Sequence, residues 1–317
     1  MNDELSIAIP TFNRPEILYE NLSFLLPDIK KYEIGVYISD DSTNNETEKL
    51  VEELSGKYSN IFYFKNNPPL GHDKNLLATL KLPSTNYVWL LGDSMTIKSG
   101  SIEKVLDVIK INSPSIIGVN SKNRIRVNGE LFRSGLKKEQ ETIFINFGWH
   151  LTLTGATIYS KDVVQSVTSL DLVSCRNFPQ IALIFNFLNE SPSFFWIQND
   201  LLVSQSKKKS YWSGNIIDVF IHDLSRVVYK LPEKYRLESK QQFMKSHSKK
   251  SKLFTIRNLV KMRLYGEIDS EIVLQNRNPL STFTHVPYII VLLISTLPKR
   301  IISLYLLGLQ YFNKNKV

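Results

Sequence analysis

Cysteine is almost missing from this 317-residue chain. The single Cys175 cannot close an internal disulfide, so the fold rests on its own core and suits a reducing compartment. That thiol reads as a buried one. Long apolar runs are missing too: none reaches the roughly 20 residues that span a bilayer. The nearest, residues 286–298 (VPYIIVLLISTLP), stops at Lys299-Arg300 before a second piece, residues 301–309. Two short pieces split by proline and two cations predict interfacial or re-entrant helices. The start of the chain carries acids at Asp3 and Glu4 and turns straight into a strand pattern, unlike a secretory leader. Five scattered histidines and one cysteine give no zinc constellation. Neither G-x-x-x-x-G-K-S/T nor G-x-G-x-x-G occurs, which argues against those two phosphate loops. No internal repeat is visible.

Acid is absent from one long stretch. Between Ser239 and Gly266 there are eight cations from Lys240 to Arg263 and no carboxylate. The whole chain is +9, which points to an anionic partner: a nucleotide diphosphate, a lipid head group or nucleic acid. Apolar content of 43% is ordinary and, at this length, supports one large domain or somewhat more.

What is present is an alternating pattern. Residues 34–39, 61–65, 87–91 and 116–120 are short apolar runs, and residues 5–10 form another. Between them lie helical spacings: one after Pro15, ended by Pro27, then residues 45–54, 73–82 and 101–110. Five strands alternating with helices predict an α/β fold with a mostly parallel, doubly wound sheet. Residues 124–141 are polar and predict a hairpin or loop. Residues 181–188 predict a buried helix, and residues 194–197 (FFWI) a further strand. In the basic stretch, Leu253, Ile256, Val260 and Leu264 share one helical face. A basic amphipathic helix suits a membrane surface; a solvated face packed on the main domain is the alternative.

Ligands of open α/β sheets bind beyond the carboxyl ends of the strands. Polar clusters stand there. The first run ends in Pro10-Thr11-Phe12-Asn13-Arg14, the second in Asp40-Asp41-Ser42-Thr43, and the fourth in Gly92-Asp93-Ser94-Met95. Gly71-His72-Asp73-Lys74-Asn75 opens the third helix. Singly, each has a plain explanation as a turn or cap.

In this order, IAIPTFNR, YISDDST, GHDKN and YVWLLGDS resemble the family 2 glycosyltransferases, inverting enzymes of the GT-A fold. The likeness is strong over the first third and fades after about residue 101. It implies a nucleotide-sugar donor whose base and ribose meet Pro10, Thr11, Asn13, Arg14, Asp40 and Asp41. Lys74 and Asn75 would lie near the nucleotide, Lys74 offering a cation. It also implies Mg²⁺ or Mn²⁺ on acids after the fourth strand. A hard cation with oxygen ligands there neutralises the departing diphosphate. Asp93 is the acid present. Met95 stands where the last family acid is expected, and thioether sulfur suits such a cation poorly. Weaker metal binding, a substitute acid or lost catalysis would follow; Ser94 offers a neutral ligand. An inverting transfer also needs a carboxylate to take the acceptor proton. The family often carries it as Glu-Asp at a helix start, but Asn177-Phe178-Pro179-Gln180 has none. Asp171, just before, is the first candidate and Asp200 the second. Trp149-His150 offers either a sugar-stacking aromatic or a core pair.

The expected organisation is a GT-A domain over residues 1–205 and a helical, basic region over residues 206–317. The expected activity is sugar transfer to a glycan or lipid-linked acceptor in surface polysaccharide synthesis. It would occur in the cytoplasm, peripheral on the inner face of an anionic membrane. A degenerate, non-catalytic nucleotide-sugar or glycan binder is the alternative. Nucleic acid is not an expected partner, because the cations lie beside apolar helices rather than along an aromatic platform.

Overall fold

A computed structural model describes residues 1–122, 124–126, 128–204 and 212–303. Nine strands form one sheet: β1 (Leu5–Thr11), β2 (Gly35–Asp40), β3 (Ile61–Lys65), β4 (Tyr87–Leu90), β5 (Met95–Ile97), β6 (Ile116–Ser121), β7 (Gly135–Lys137), β8 (Thr157–Ser160) and β9 (Phe194–Ser204). Their order is β3-β2-β1-β4-β8-β6-β9-β5, with β7 also on β9. Ile7 pairs with Val36 on one side and Trp89 on the other, in parallel register. β8 runs antiparallel between β4 and β6, so β6 regains the direction of β1, β2 and β4. β2 and β4 are buried at every position and β1 at all but Pro10, as strands covered on both faces must be.

Helices α1 (Pro15–Lys31), α2 (Glu46–Lys57), α3 (His72–Leu80) and α4 (Ser101–Asn112) link the first six strands. Helices α5 (Gln140–Leu151), α6 (Lys161–Gln165) and α7 (Pro179–Glu190) complete the sheet's cover. Pro27 does not end α1; the helix runs on to Lys31. Burial of Ile29, with the Tyr32 N–H donating to Asp28 O and the Glu33 N–H to Lys30 O, holds the last turn past the missing proline donor. The polar stretch 124–141 contains β7 and the first turn of α5, which the sequence pattern did not separate.

Beyond β9 come α8 (Leu224–Lys230), α9 (Leu237–Lys250), α10 (Ile256–Tyr265), α11 (Ser270–Gln275), α12 (Arg277–Phe283) and α13 (Tyr288–Thr296). α9 packs on α5 through aromatics. Phe144 stacks on Phe243 at 4.9 Å, and Phe185 and Tyr235 close the cluster. Gly148 permits this: a Cβ there would lie inside the Phe243 ring. The expected boundary near residue 205 lies outside the described residues. The predicted apolar face of α10 is corrected. Leu259 and Met262 face inward, whereas Ile256 is 56% exposed and Leu253, Val260 and Leu264 are only half-buried. The neighbouring α13, not the hydropathy of α10 alone, sets which side is covered.

Candidate active site at the carboxyl edge of the sheet

β1 ends at Thr11 and β2 at Asp40, and β4 leads directly into Leu91-Gly92-Asp93. Parallel pairing therefore brings the three polar turns to one edge. Asp93 is the acid at its centre, buried with 8% exposed. Arg14 donates from Nη1 to its Oδ1 at 3.1 Å, and Thr11 donates from Oγ1 to its Oδ2 at 3.3 Å. Asn21, buried on α1, donates to the Asp93 carbonyl. The strand-four acid is thus locked against the strand-one turn.

The two adjacent carboxylates at the end of β2 do different work, because successive residues leave an extended backbone on opposite sides. Asp40 is fully buried. It accepts from the Ser42 N–H at 2.8 Å, the Ser42 hydroxyl, Tyr63 at 2.7 Å and Lys65 at 3.4 Å. Asp41 accepts from Asn66 Nδ2 at 2.9 Å, Leu70 N at 2.9 Å and Gly71 N at 2.6 Å. It pins the loop that opens α3. Asn75 is equally engaged: its Oδ1 accepts from Ser39 at 2.7 Å and Asn66 at 3.0 Å. Asn13 sits at φ 51°, a left-handed geometry that asparagine tolerates. Its N–H donates to Ser42 Oγ at 2.7 Å and its Oδ1 accepts from Thr43 N at 3.3 Å, lacing the two turns together. Pro10 is half-buried in β1, and Lys74 is exposed on the first turn of α3.

The start of α7 joins this edge. Asp73 accepts from the Asn177 N–H at 2.9 Å, and Asn177 Nδ2 donates to Asp223 at 2.7 Å. Arg226 also holds Asp223 at 2.8 Å. Gln180 donates to Thr152 O at 3.2 Å. Asp171 is exposed and accepts from the Val173 N–H at 3.1 Å within its own turn. It lies near enough to Cys175 that burial first, then Asp73 and Asp171, push that thiol up to about 11. Asp200 is half-buried on β9, opposite Asn120. Trp149 and His150 are core residues, bonded to Asn146 O at 3.1 Å and Val119 O at 2.9 Å. Three residues not singled out from the sequence join the site. Phe12 is 54% exposed between Thr11 and Asn13, Asn66 bonds both Asp41 and Asn75, and Asp223, just before α8, accepts from Asn177 ahead of α7.

The donor set decides how a divalent cation fits. Asp93 is one carboxylate, with Ser94 next to it; Met95 is buried at the start of β5. Among the described residues no three His, Cys, Asp or Glu side chains gather for a metal. Mg²⁺ is commonly bound through one or two carboxylates plus substrate phosphates. The set therefore fits a cation shared with a phosphate ligand, not one caged by protein alone.

A mostly parallel sheet with its polar turns and a buried acid at the carboxyl edge defines a GT-A-like α/β protein. Residues 6–168 match glycosyl transferase family 2, and the chain belongs to that family. The abequosyltransferase RfbV of Salmonella typhimurium is 28% identical over 43% of this chain and 46% of its own length. A GalNAc(5)-diNAcBac-PP-undecaprenol beta-1,3-glucosyltransferase of Campylobacter jejuni is also 28% identical, over 44% and 45%. The chain thus spans about half the length of the curated relatives it matches. In fold it is similar to S. aureus TarS 1-349 in complex with UDP-GlcNAc, with TM-score 0.61 and 16% identity over 88% of this chain and 81% of that one. It is likewise similar to the mannosyltransferase PcManGT of Pyrobaculum calidifontis in complex with GDP-Man and Mn²⁺. There the TM-score is 0.58 and the identity 12%, over 93% and 84%.

Proposed function

We propose that this protein transfers a sugar, with inversion, from a nucleotide-sugar donor to a hydroxyl of a glycan or lipid-linked acceptor in cell-surface polysaccharide synthesis. The observation that carries the reading is Asp93, held by Arg14 and Thr11 where the β1, β2 and β4 turns meet. Family membership and relatives named for sugar transfer support it. The nucleoside lies over Pro10, Thr11, Asn13, Asp40 and Asp41, with the exposed Phe12 ring free to stack on the base and Lys74 and Asn75 beside it. Asp93 would hold Mg²⁺ or Mn²⁺ together with the donor diphosphate, and the bound cation neutralises charge on the leaving group. Arg14 places a second positive charge at the same point. Proton removal from the acceptor falls to a carboxylate flanking the start of α7. Asp171 is the sequence candidate, and Asp223, held by Asn177 and Arg226, is the one more firmly positioned there.

In this reading residues 1–205 form the catalytic unit and residues 206–317 carry it to the inner face of the cytoplasmic membrane. Support comes from an apolar row on the outer side of the tail: Ile289, Leu293, Leu297 and Ile301 are all exposed, beside Lys299 and Arg300. Among the described residues no helix is long and apolar enough to cross a bilayer.

The test is donor turnover. Purified protein is given UDP-, dTDP- and GDP-sugars with a polyprenyl-diphosphate glycan acceptor, with and without Mn²⁺. Acceptor-dependent release of nucleotide, lost in Asp93→Asn, is the expected result. Donor binding without release under every condition would establish the alternative suggested by Met95 and the acid-free start of α7, a non-catalytic binder.

A further inference from the structure

A cavity of about 390 Å³ opens where β6 ends, between the loop after that strand and the end of α9. Lys122, Arg124, Arg126, Lys250 and Lys252 line it with Trp149, and no carboxylate is among its described lining residues. Lys122, Arg126, Lys250 and Lys252 are exposed, and Arg124 is half-buried on a loop that is fixed in place. Asn120 clamps the loop through both side-chain atoms, donating to Ile125 O at 2.8 Å and accepting from Ile125 N at 3.2 Å. The Arg124 N–H donates to Ser121 O at 2.8 Å. The half-buried Arg124 guanidinium sits 4.9 Å from the centre of the Trp149 ring, and the Lys250 ammonium 5.5 Å from the same ring.

Among the described residues no ion pair engages Arg124, Arg126, Lys250 or Lys252. Burial pushes Arg124 down to about 10. His150 and His247 are held near 3, by burial first and then by the Arg124 charge, so both are neutral at ordinary pH. A half-buried guanidinium crowded by neighbouring cations, with no counter-charge, destabilises the free protein. A bound anion reverses that cost, and the planar guanidinium fork matches phosphate oxygens in pairs.

Position narrows the anion. β6 runs parallel to β1, β2 and β4, so the cavity opens at the same edge of the sheet as Asp93. In the sheet, β8 separates the two. The cavity therefore lies to one side of the nucleotide turns, where an acceptor would approach. We propose that this cavity binds a phosphate or diphosphate ester, the phosphorylated end of the acceptor, separately from the donor nucleotide. The acceptor assignment rests on the glycosyltransferase reading; the anion site does not.

Direct binding tests it without turnover. Calorimetry with inorganic pyrophosphate and with farnesyl diphosphate uses the full chain and two variants, Arg124→Gln and Arg126→Gln/Lys252→Gln. Both ligands should bind the wild type, more weakly as salt rises. Affinity should fall at least tenfold in each variant, while affinity for nucleoside diphosphate at the Asp93 site stays within twofold. Because Arg124→Gln removes a half-buried charge that has no ion-pair partner, its ligand-free melting temperature should hold or rise, so lost binding will not reflect unfolding. No binding by wild type, or equal binding by wild type and both variants, overturns the site. Binding of pyrophosphate with exclusion of farnesyl diphosphate overturns the acceptor assignment. Diphosphate binding in a protein that never turns over a donor would instead count against the proposed function and leave the cavity standing.

Discussion

Asp93 and Asp41 are both buried acids at strand ends, but they are engaged differently, and substitutions separate them. Asp93 meets a guanidinium and a hydroxyl, partners that are themselves mobile side chains. Asp93→Asn keeps the shape and removes the charge. Activity should fall at least a hundredfold, with little change in melting temperature, because one charge-assisted contact is worth about 1.5–3 kcal/mol and the cation ligand is lost too. Full activity of Asp93→Asn, or of wild type in excess chelator, would end the metal-shared mechanism. Met95→Asp should tighten Mn²⁺ binding measured in the presence of nucleoside diphosphate. Asp41 instead accepts from two backbone N–H groups and Asn66. Asp41→Ala should weaken nucleotide affinity roughly tenfold to a hundredfold, and it should also loosen the loop before α3, lowering stability by about 1–3 kcal/mol. Calorimetry that finds unchanged affinity would leave Asp41 a purely structural residue. Its pairing with the loop was not legible from the Asp40-Asp41 doublet. Hydrogen bonds to backbone N–H groups thirty residues away leave no spacing pattern in a sequence.

The interface between α5 and α9 is where elements decide stability. Gly148 lies under Phe243, so Gly148→Ala must displace a ring already packed against Phe144. Overpacking of this kind costs about 1–3 kcal/mol, which a denaturant melt would read as a shifted midpoint at constant slope. The same interface predicts acid sensitivity. His150 and His247 are buried and held near 3 by burial and then by Arg124. The unfolded chain therefore binds protons at these two sites before the folded one does. Stability is complete above about pH 6.5 and falls as pH drops toward 3, by up to about 1.4 kcal/mol per unit for each histidine. Glu141, lowered to about 2 by Arg236 and then Ser239, adds a loss below its ordinary value near 4.5. That ion pair is largely exposed and contributes less. Midpoints in urea that stay flat between pH 7 and 5 would show that neither histidine is kept neutral. β1, β2, β3, β4 and β6, with the helices between them, were legible because each is a clean apolar run or a helical spacing between turns. β5, β7 and β8 were not. They are three or four residues long, and their pairing with β9, β4 and β6 rather than their composition makes them strands. α5 was hidden for a related reason: it is apolar on nearly every side because β9, α7 and α9 surround it, so no helical stripe stands out.

Across the whole molecule, the charge of +9 is unevenly placed, and the proposed membrane docking is tested through that placement. Cations were visible in sequence from Lys240 to Arg263, but the structure divides them. Lys240 turns inward, its Nζ donating to the Leu231 carbonyl at 2.7 Å and to Tyr229 O at 3.3 Å. Lys250 and Lys252 line the anion cavity. Arg257 remains outward on α10, and Lys299 and Arg300 follow α13. The apolar contribution comes from α13, whose Ile289 and Leu293 are 58% and 60% exposed while Val291 and Ile294 pack inward. Exposed apolar rows beside cations on a helix of this kind insert at the level of lipid head groups, where each cation near an anionic surface contributes on the order of 1 kcal/mol. The protein should therefore float with vesicles containing phosphatidylglycerol and float less in high salt, which screens the cationic part. Ile289→Ser/Leu293→Ser should reduce flotation while leaving the melting temperature nearly unchanged, because both side chains already face solvent. Removal of residues 288–317 should abolish it. If the wild type stays at the bottom of the gradient with anionic and neutral vesicles alike, the outer face of α13 has another use, and the acceptor must reach the Asp93 edge from solution.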